Sequence, residues 1–149
     1  MATQGPVLIV DGNPQMRAMV QRFLARQQVD TQVASSPTEA HTMLVHQALP
    51  VLLTDAFLPS GDGLALVRAL RQIAPGTRGI LMTAFRAPAL WQQALADGAY
   101  ACLAKPFRLQ ELWDLVQPAL QGLPAPAVRR PSGQVERGWQ LGGMPDDPL

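Results

Sequence analysis

Four side chains of the 149-residue chain stand where apolar runs end: Asp11 after Val7–Val10, Asp55 after Val51–Thr54, Thr83 after Gly79–Met82, and Lys105 after Tyr100–Ala104. Two carboxylates, a hydroxyl and an ammonium, once brought together, can accept a phosphoryl group on one carboxylate and hold it. The accepting acid attacks phosphorus, and cations must offset the negative charge that gathers there. Lys105 offers a compact, mobile charge for that purpose. The other acid could retain a divalent metal, and Mg²⁺ favours carboxylates together with phosphate oxygens. Thr83 can donate a hydrogen bond to a phosphoryl oxygen. The chain holds eleven Arg and a single Lys, and that Lys falls where this chemistry needs it.

Particular elements must carry these residues to one place. The continuous apolar run Val7–Val10 suits a strand buried on both faces. Asn13 then Pro14 reads as an N-cap followed by proline at the first helical position, and Met16, Met19, Val20, Phe23 and Leu24 stripe a helix to about Gln27. A short strand at Thr31–Ala34 precedes the capping box Ser36–Pro37–Thr38–Glu39, whose helix carries Ala40, Met43, Leu44 and Ala48. Val51–Asp55 is a third strand. A loop with Pro59, Gly61 and Gly63 leads to a helix bearing Leu64, Leu66, Val67, Leu70 and Ile73, closed by Pro75–Gly76. Gly79–Thr83 forms the fourth strand, Pro88–Asp97 the fourth helix with Gly98 as its cap, and Tyr100–Ala104 the fifth strand. Leu109, Leu112, Trp113, Val116 and Leu120 stripe the fifth helix. Five strands alternating with five helices predict an α/β doubly wound, five-stranded parallel sheet covered on both faces. Such sheets bind ligands beyond the carboxyl ends of their strands. With the first strand central and the third, fourth and fifth to one side, all four residues share a cleft.

Composition narrows the class further. The chain is 48% apolar and 15% charged with a formal net charge of +1, which excludes collagen-like, disulfide-dense and wholly disordered chains. The lone Cys102 points to a reducing cytoplasm. No apolar run approaches the roughly 18 residues that span a bilayer, and the first residues lack a signal peptide's basic start and apolar stretch. Near-neutral charge argues against direct DNA binding. Residues 6–121 are expected to form one domain. The last 28 residues, 122–149, contain five Pro and five Gly without sustained periodicity and are expected to be a mostly disordered tail.

Several motifs together mark a family: Val7–Leu8–Ile9–Val10–Asp11; Thr54–Asp55 with Pro59 and Gly61–Asp62–Gly63; Met82–Thr83–Ala84; Gly98–Ala99; and Lys105–Pro106–Phe107. In this order and spacing the chain, over about residues 6–121, resembles the response-regulator receiver domain of bacterial phosphorelays. The resemblance implies a flavodoxin-like, CheY-like (βα)5 topology and a phosphoacceptor at Asp55. Its partners would be a sensor histidine kinase or phosphotransfer protein and a downstream protein target. It further implies that Thr83, Ala84 and Lys105 bind the phosphoryl group. Asp11, Asp55 and the Phe57 backbone carbonyl would hold Mg²⁺. Signalling would run through the face built from the fourth helix, fifth strand and fifth helix, where a homodimer could also form.

The chain departs from the family pattern in two places. The second acid after the first strand, which normally contacts the metal, is replaced by Gly12, so Mg²⁺ binding should be weak or absent. An aromatic three residues before the lysine usually rotates behind the switch hydroxyl, and here Cys102 stands there. Tyr100, on the same strand face by period two, is the substitute candidate for this rotor. Phe57 and Phe85, each two residues past Asp55 and Thr83, should exclude hydrolytic water and slow self-dephosphorylation.

Other features have plainer readings. His41 and His46 are too far apart around a helix to ligate one metal, and Asp62 suits a turn. Leu90 and Ala94 form a core stripe. Trp91 and Leu95 could join Trp113 or Leu115 in an exposed apolar patch, or simply be buried as well. Arg129, Arg130 and Trp139 could form a short docking segment or a plain linker. Beside the receiver reading, which makes the chain no enzyme beyond assisting its own phosphorylation and dephosphorylation, stand two alternatives. One is an atypical receiver that binds partners without phosphorylation, motivated by Gly12. The other is an Asp-nucleophile phosphohydrolase, which would want a second acid where Phe57 stands.

Overall fold

A computed structural model describes residues 4–84, 87–129, 135–137 and 139–140. The elements run β1 (Gln4–Val10), α1 (Pro14–Arg26), β2 (Val29–Ala34), α2 (Pro37–His46), β3 (Val51–Asp55), β4 (Phe57–Leu58), β5 (Gly61–Asp62) and α3 (Gly63–Ile73). They continue with β6 (Arg78–Thr83), α4 (Pro88–Ala96), β7 (Ala101–Ala104), α5 (Leu109–Leu120), β8 (Ala127–Arg129), β9 (Val135–Arg137) and β10 (Trp139–Gln140). Strands β2, β1, β3, β6 and β7 lie side by side in that order, every neighbouring pair parallel. This is the predicted flavodoxin-like doubly wound sheet with five helices. Its order reverses at β1, so the crevice at the carboxyl ends of β1 and β3 is the place where such a sheet receives a ligand.

Strand alternation divides the core into two layers. Leu8, Val10, Leu52, Leu81, Cys102 and Ala104 face α2, α3 and α4, whereas Val7, Ile9, Leu53, Ile80, Met82 and Leu103 face α1 and α5. The predicted caps hold: Asn13 accepts the N–H groups of Gln15 and Met16, and Ser36 accepts that of Glu39. Asp62 does more than suit a turn, since it caps α3 by accepting the Leu64 N–H at 2.8 Å.

The structure decides between two readings, corrects one and describes part of the tail. Of the two readings of α4 and α5, the buried one holds: Trp91 and Leu115 are both fully buried, and Trp113 packs edge-on against Phe23 at 6.4 Å. Both apolar stripes of α4 pack into the same core layer, Trp91 and Ala94 buried and Leu90 and Leu95 partly so. Tyr100 does not share a face with Cys102: it precedes the first paired residue of β7, so strand alternation does not extend to it, and it packs with the α1–α5 layer. Of the tail expected to be mostly disordered, more than half lies outside the described residues, and the described part holds three short strands. β8 and β9 pair antiparallel, and β10 adds to β7 as a sixth parallel strand. A two-residue strand built on backbone pairing leaves no apolar period to read.

Candidate functional site

Asp11, the first residue past β1, is 2% exposed. Its Oδ1 accepts the Asn13 N–H at 2.8 Å, and the Arg17 guanidinium on α1 donates to its backbone carbonyl. The β1–α1 turn thereby fixes the acid in place.

Asp55 ends β3, where the Ala56 N–H donates to the Met82 carbonyl at 2.9 Å and locks the turn to β6. Asp55 Oδ1 accepts the Phe57 N–H at 3.2 Å. The chain then folds back through the β4–β5 hairpin, and α3 begins directly behind the acid. A Cβ on Gly63 would fall inside the contact distance of the Asp55 carbonyl oxygen and lie 2.8 Å from Thr54 Oγ1. Only glycine lets the helix start so close.

Lys105 follows β7, its N–H donating to the Thr83 carbonyl at 2.9 Å, with a cis peptide to Pro106. Its Nζ donates to Asp11 Oδ2 at 2.6 Å and to Asp55 Oδ2 at 2.8 Å. Burial alone would push the ammonium's pKa down, but the hydrogen bonds and charges of Asp11 and Asp55 outweigh it and raise the value. Lys105 is therefore a cation at every physiological pH. Thr83 is buried at the end of β6, opposite Ala104. Asp55, Phe57, Thr83, Ala84 and Lys105 line one open cleft of about 430 Å³, and Phe57, 59% exposed, stands at its rim. A groove of about 360 Å³ between α2 and α3, lined by residues such as Thr38, His41 and Ala65, has no comparable cluster of charges.

The structure thus brings together Asp11, Asp55, Thr83, Ala84 and Lys105. The departures also take physical form. Gly12 leaves the acid pair one carboxylate short, and a Cβ there would lie 2.8 Å from Pro59 Cδ. Cys102 is fully buried, and burial pushes its thiol up to about 12. Tyr100 is committed elsewhere, donating its hydroxyl to the Leu123 carbonyl at 2.8 Å. Phe85, expected to shield the acceptor, lies outside the described residues, as does Arg130. Sequence reasoning missed Arg17 and Gly63 as positioning residues. The Gly63 signal was its place one residue before an apolar helix.

Receiver domains generally bind Mg²⁺ for phosphorylation. Among the described residues no group of three His, Cys, Asp or Glu side chains is placed to hold a metal ion. The Asp11 and Asp55 carboxylates and the Phe57 carbonyl are still oxygen donors of the kind that ion takes, and one or two carboxylates commonly suffice when phosphate oxygens join them. The donor set fits, one acid short.

An acid pair bridged by a lysine at the carboxyl edge of a parallel sheet ordered β2-β1-β3-β6-β7 defines the class of α/β domains that receive phosphoryl groups. The chain belongs to the response regulator receiver domain family, whose model matches residues 7–117. It is 38% identical over 114 residues to the response regulator protein PilR of Pseudomonas aeruginosa, covering 76% of this chain and 26% of PilR. Among solved structures it is similar to the chemotaxis response regulator CheY4 of Vibrio cholerae (28% identity, TM-score 0.72, 79% of this chain and 100% of that one). It is also similar to a response regulator of Burkholderia pseudomallei with a phosphorylated aspartic acid and a calcium ion (26% identity, TM-score 0.70, 78% of this chain and 66% of that one). The chain spans about a quarter of the length of the curated relatives it matches.

Proposed function

We propose that this chain accepts a phosphoryl group on Asp55 from a histidine of a sensor kinase or phosphotransfer protein and signals through protein contacts. The observation that carries this reading is the Lys105 ammonium held between Asp11 and Asp55 at the lip of the cleft that Thr83 lines. An Asp55 oxygen forms the new P–O bond as the donor's P–N bond breaks, the electron pair leaving on the imidazole nitrogen. Lys105 has three N–H donors and two are engaged by carboxylates, so one can turn to a phosphoryl oxygen. The Thr83 hydroxyl supplies a second donor. Asp11, Asp55 and the Phe57 carbonyl would hold Mg²⁺, which when bound neutralises charge on the phosphoryl oxygens.

In this reading the chain is a cytoplasmic signalling switch that assists its own phosphorylation and dephosphorylation and turns over no other substrate. The face of α4, β7 and α5 would meet the downstream target or a second copy. The ring of Phe57 at the rim shields the acyl phosphate from water and slows its hydrolysis. The test is incubation with acetyl phosphate across a range of Mg²⁺ concentrations, read by intact mass. One added phosphoryl group, abolished by Asp55→Ala, is the expected result. No adduct at any Mg²⁺ concentration, with cognate kinases included, would favour the second reading that Gly12 motivates, a receiver that binds partners without phosphorylation.

A further inference from the structure

The buried polar or charged residues among those described are Asp11, Thr54, Thr83 and Glu111. Asp11 follows β1, Thr54 precedes Asp55 in β3 and Thr83 ends β6, so all three adjoin the phosphoacceptor site. Glu111, 7% exposed, lies instead in the first turn of α5. A carboxylate leaves water only at a cost, and hydrogen bonds must offset it. Its Oε1 accepts the Arg108 backbone N–H at 2.9 Å, and its own N–H donates to the Arg108 carbonyl at 2.9 Å. The Arg108 guanidinium also reaches Oε1, at 3.3 Å, but that side chain is 86% exposed, where an ion pair is worth little. Arg108 stands at the N-cap of α5, where Ser, Thr, Asp or Asn usually offers an acceptor and an Arg side chain has none. The start of α5 is therefore tied from inside the helix, by Glu111 reaching back to the cap residue.

The tie holds the connection that delivers Lys105. Only residues 105–108 join β7 to α5. At one end the Lys105 N–H is bonded to the Thr83 carbonyl. Pro106 has no N–H to bond, and Phe107 packs with the α1–α5 layer. At the other end Glu111 grips Arg108 by both its N–H and its carbonyl. Lys105 Nζ sits 2.6 Å from Asp11 Oδ2 and 2.8 Å from Asp55 Oδ2. A flexible aliphatic stem meets both distances at once only from a fixed Cα. We propose that Glu111 is a positioning residue for Lys105: by fixing Arg108 it holds the β7–α5 connection where the ammonium reaches both carboxylates. The proposal rests on the phosphoacceptor reading for its purpose, but the placement of the ammonium is measurable without phosphoryl transfer.

Lys105 is the single Lys of the chain, so isotopic labelling of lysine nitrogen gives one side-chain ammonium resonance, that of the site itself. In the full chain without a phosphoryl donor this resonance should be sharp, its protons exchanging slowly while two carboxylates hold them. Glu111→Ala should speed that exchange about tenfold, the equilibrium factor that one hydrogen bond to a charged group commands, and move the resonance towards that of free lysine. Glu111→Gln, whose amide oxygen accepts the same N–H, should retain the wild-type signal. So should Arg108→Ala, which keeps the backbone bond and removes only the exposed guanidinium. With acetyl phosphate and Mg²⁺, acceptance on Asp55 should fall about tenfold in Glu111→Ala and be restored in Glu111→Gln. A wild-type lysine signal in Glu111→Ala overturns the proposal, as does a Gln variant that behaves like the Ala variant or an Arg108→Ala change of equal size. If Glu111→Ala does not fold, Glu111→Asp, whose shorter side chain draws the carboxylate back from Arg108, is read against the same outcomes. If the wild-type chain accepts no phosphoryl group, the phosphoacceptor reading fails, while the lysine signal still decides what places Lys105.

Discussion

Lys105→Met is the most informative single perturbation of the site. It removes the only cation within hydrogen-bond distance of the Asp11 and Asp55 carboxylates among the described residues, at 2.6 and 2.8 Å, and leaves two carboxylates facing each other. Asp11 is 2% exposed, so water cannot replace the lost partner there, whereas the side chains of Lys105 and Asp55 retain 16% and 19% exposure. Breaking a buried pair by removing one member costs about 3–5 kcal/mol, and the partial exposure of two members places this case at the lower end, about 3 kcal/mol. At a urea m-value of about 1.5–2 kcal/mol/M the unfolding midpoint should fall by about 1.5–2 M. The double variant Lys105→Met/Asp55→Asn removes one of the two opposed charges and should recover about 1–2 kcal/mol, a coupling that a double-mutant cycle measures directly. Lys105→Arg should keep most of the stability but lose phosphoryl acceptance, because a planar fork cannot hold both carboxylates and still turn one donor to the cleft. A loss below about 1 kcal/mol for Lys105→Met, or an Asp55→Asn change that destabilises it further, would refute the view that Lys105 holds two charged carboxylates together.

Three further outcomes are expected. Gly12→Asp should raise Mg²⁺ affinity about tenfold or more by titration calorimetry, while thermal stability falls because the new Cβ must displace the Pro59 ring now 2.8 Å from its position; unchanged metal binding would show that Gly12 is not what weakens the site. The Cys102 thiol, pushed up by burial from its ordinary 9.0 to about 12, should react with iodoacetamide at pH 8 about a thousandfold more slowly than a free thiol, and at the ordinary rate once unfolded. Since the unfolded thiol ionises first, this group lowers stability only as pH rises from about 9 to about 12 and has no effect below that window. Trp91→Ala, at a residue with no exposed surface, should cost about 3–5 kcal/mol in denaturant unfolding.

The strand-end residues were legible because the reasoning needs only two regularities: apolar runs make parallel strands, and ligands gather at their carboxyl ends. Asp55 and Lys105 are 50 residues apart in the chain, yet each ends an apolar run, and that was enough to pair them. Trp91 was not legible. On α4 both Leu90/Ala94 and Trp91/Leu95 are apolar, and which stripe enters the core depends on how the helix lies on the sheet and α3, information held by other segments. Tyr100 failed for a local reason: the strand begins at Ala101, and period-two logic has no force one residue outside a strand. The place of Gly63 just before an apolar helix was legible, but its role was not, because that depends on a backbone approach between α3 and Asp55. Strand β10 is the extreme case, since pairing through backbone groups leaves no side-chain signature.

The lone Lys and the missing acid are two parts of one charge balance. With Gly12 the pocket holds two carboxylates and one ammonium, a sum of −1, where a third carboxylate would make it −2. The less negative pocket attracts a divalent cation less strongly, which is the cost of Gly12. It also repels an incoming phosphoryl dianion less, and Coulomb interactions at this separation and partial burial amount to several kcal/mol per charge pair. Lys105, whose ammonium is held charged by the same two carboxylates, then represents a larger share of the positive charge available to the transferred group than it would beside a tightly bound metal. Replacing it should therefore depress phosphoryl acceptance more in this chain than in the Gly12→Asp background, where a metal carries more of that charge. Equal depression in the two backgrounds would show that the acid and the lysine act independently.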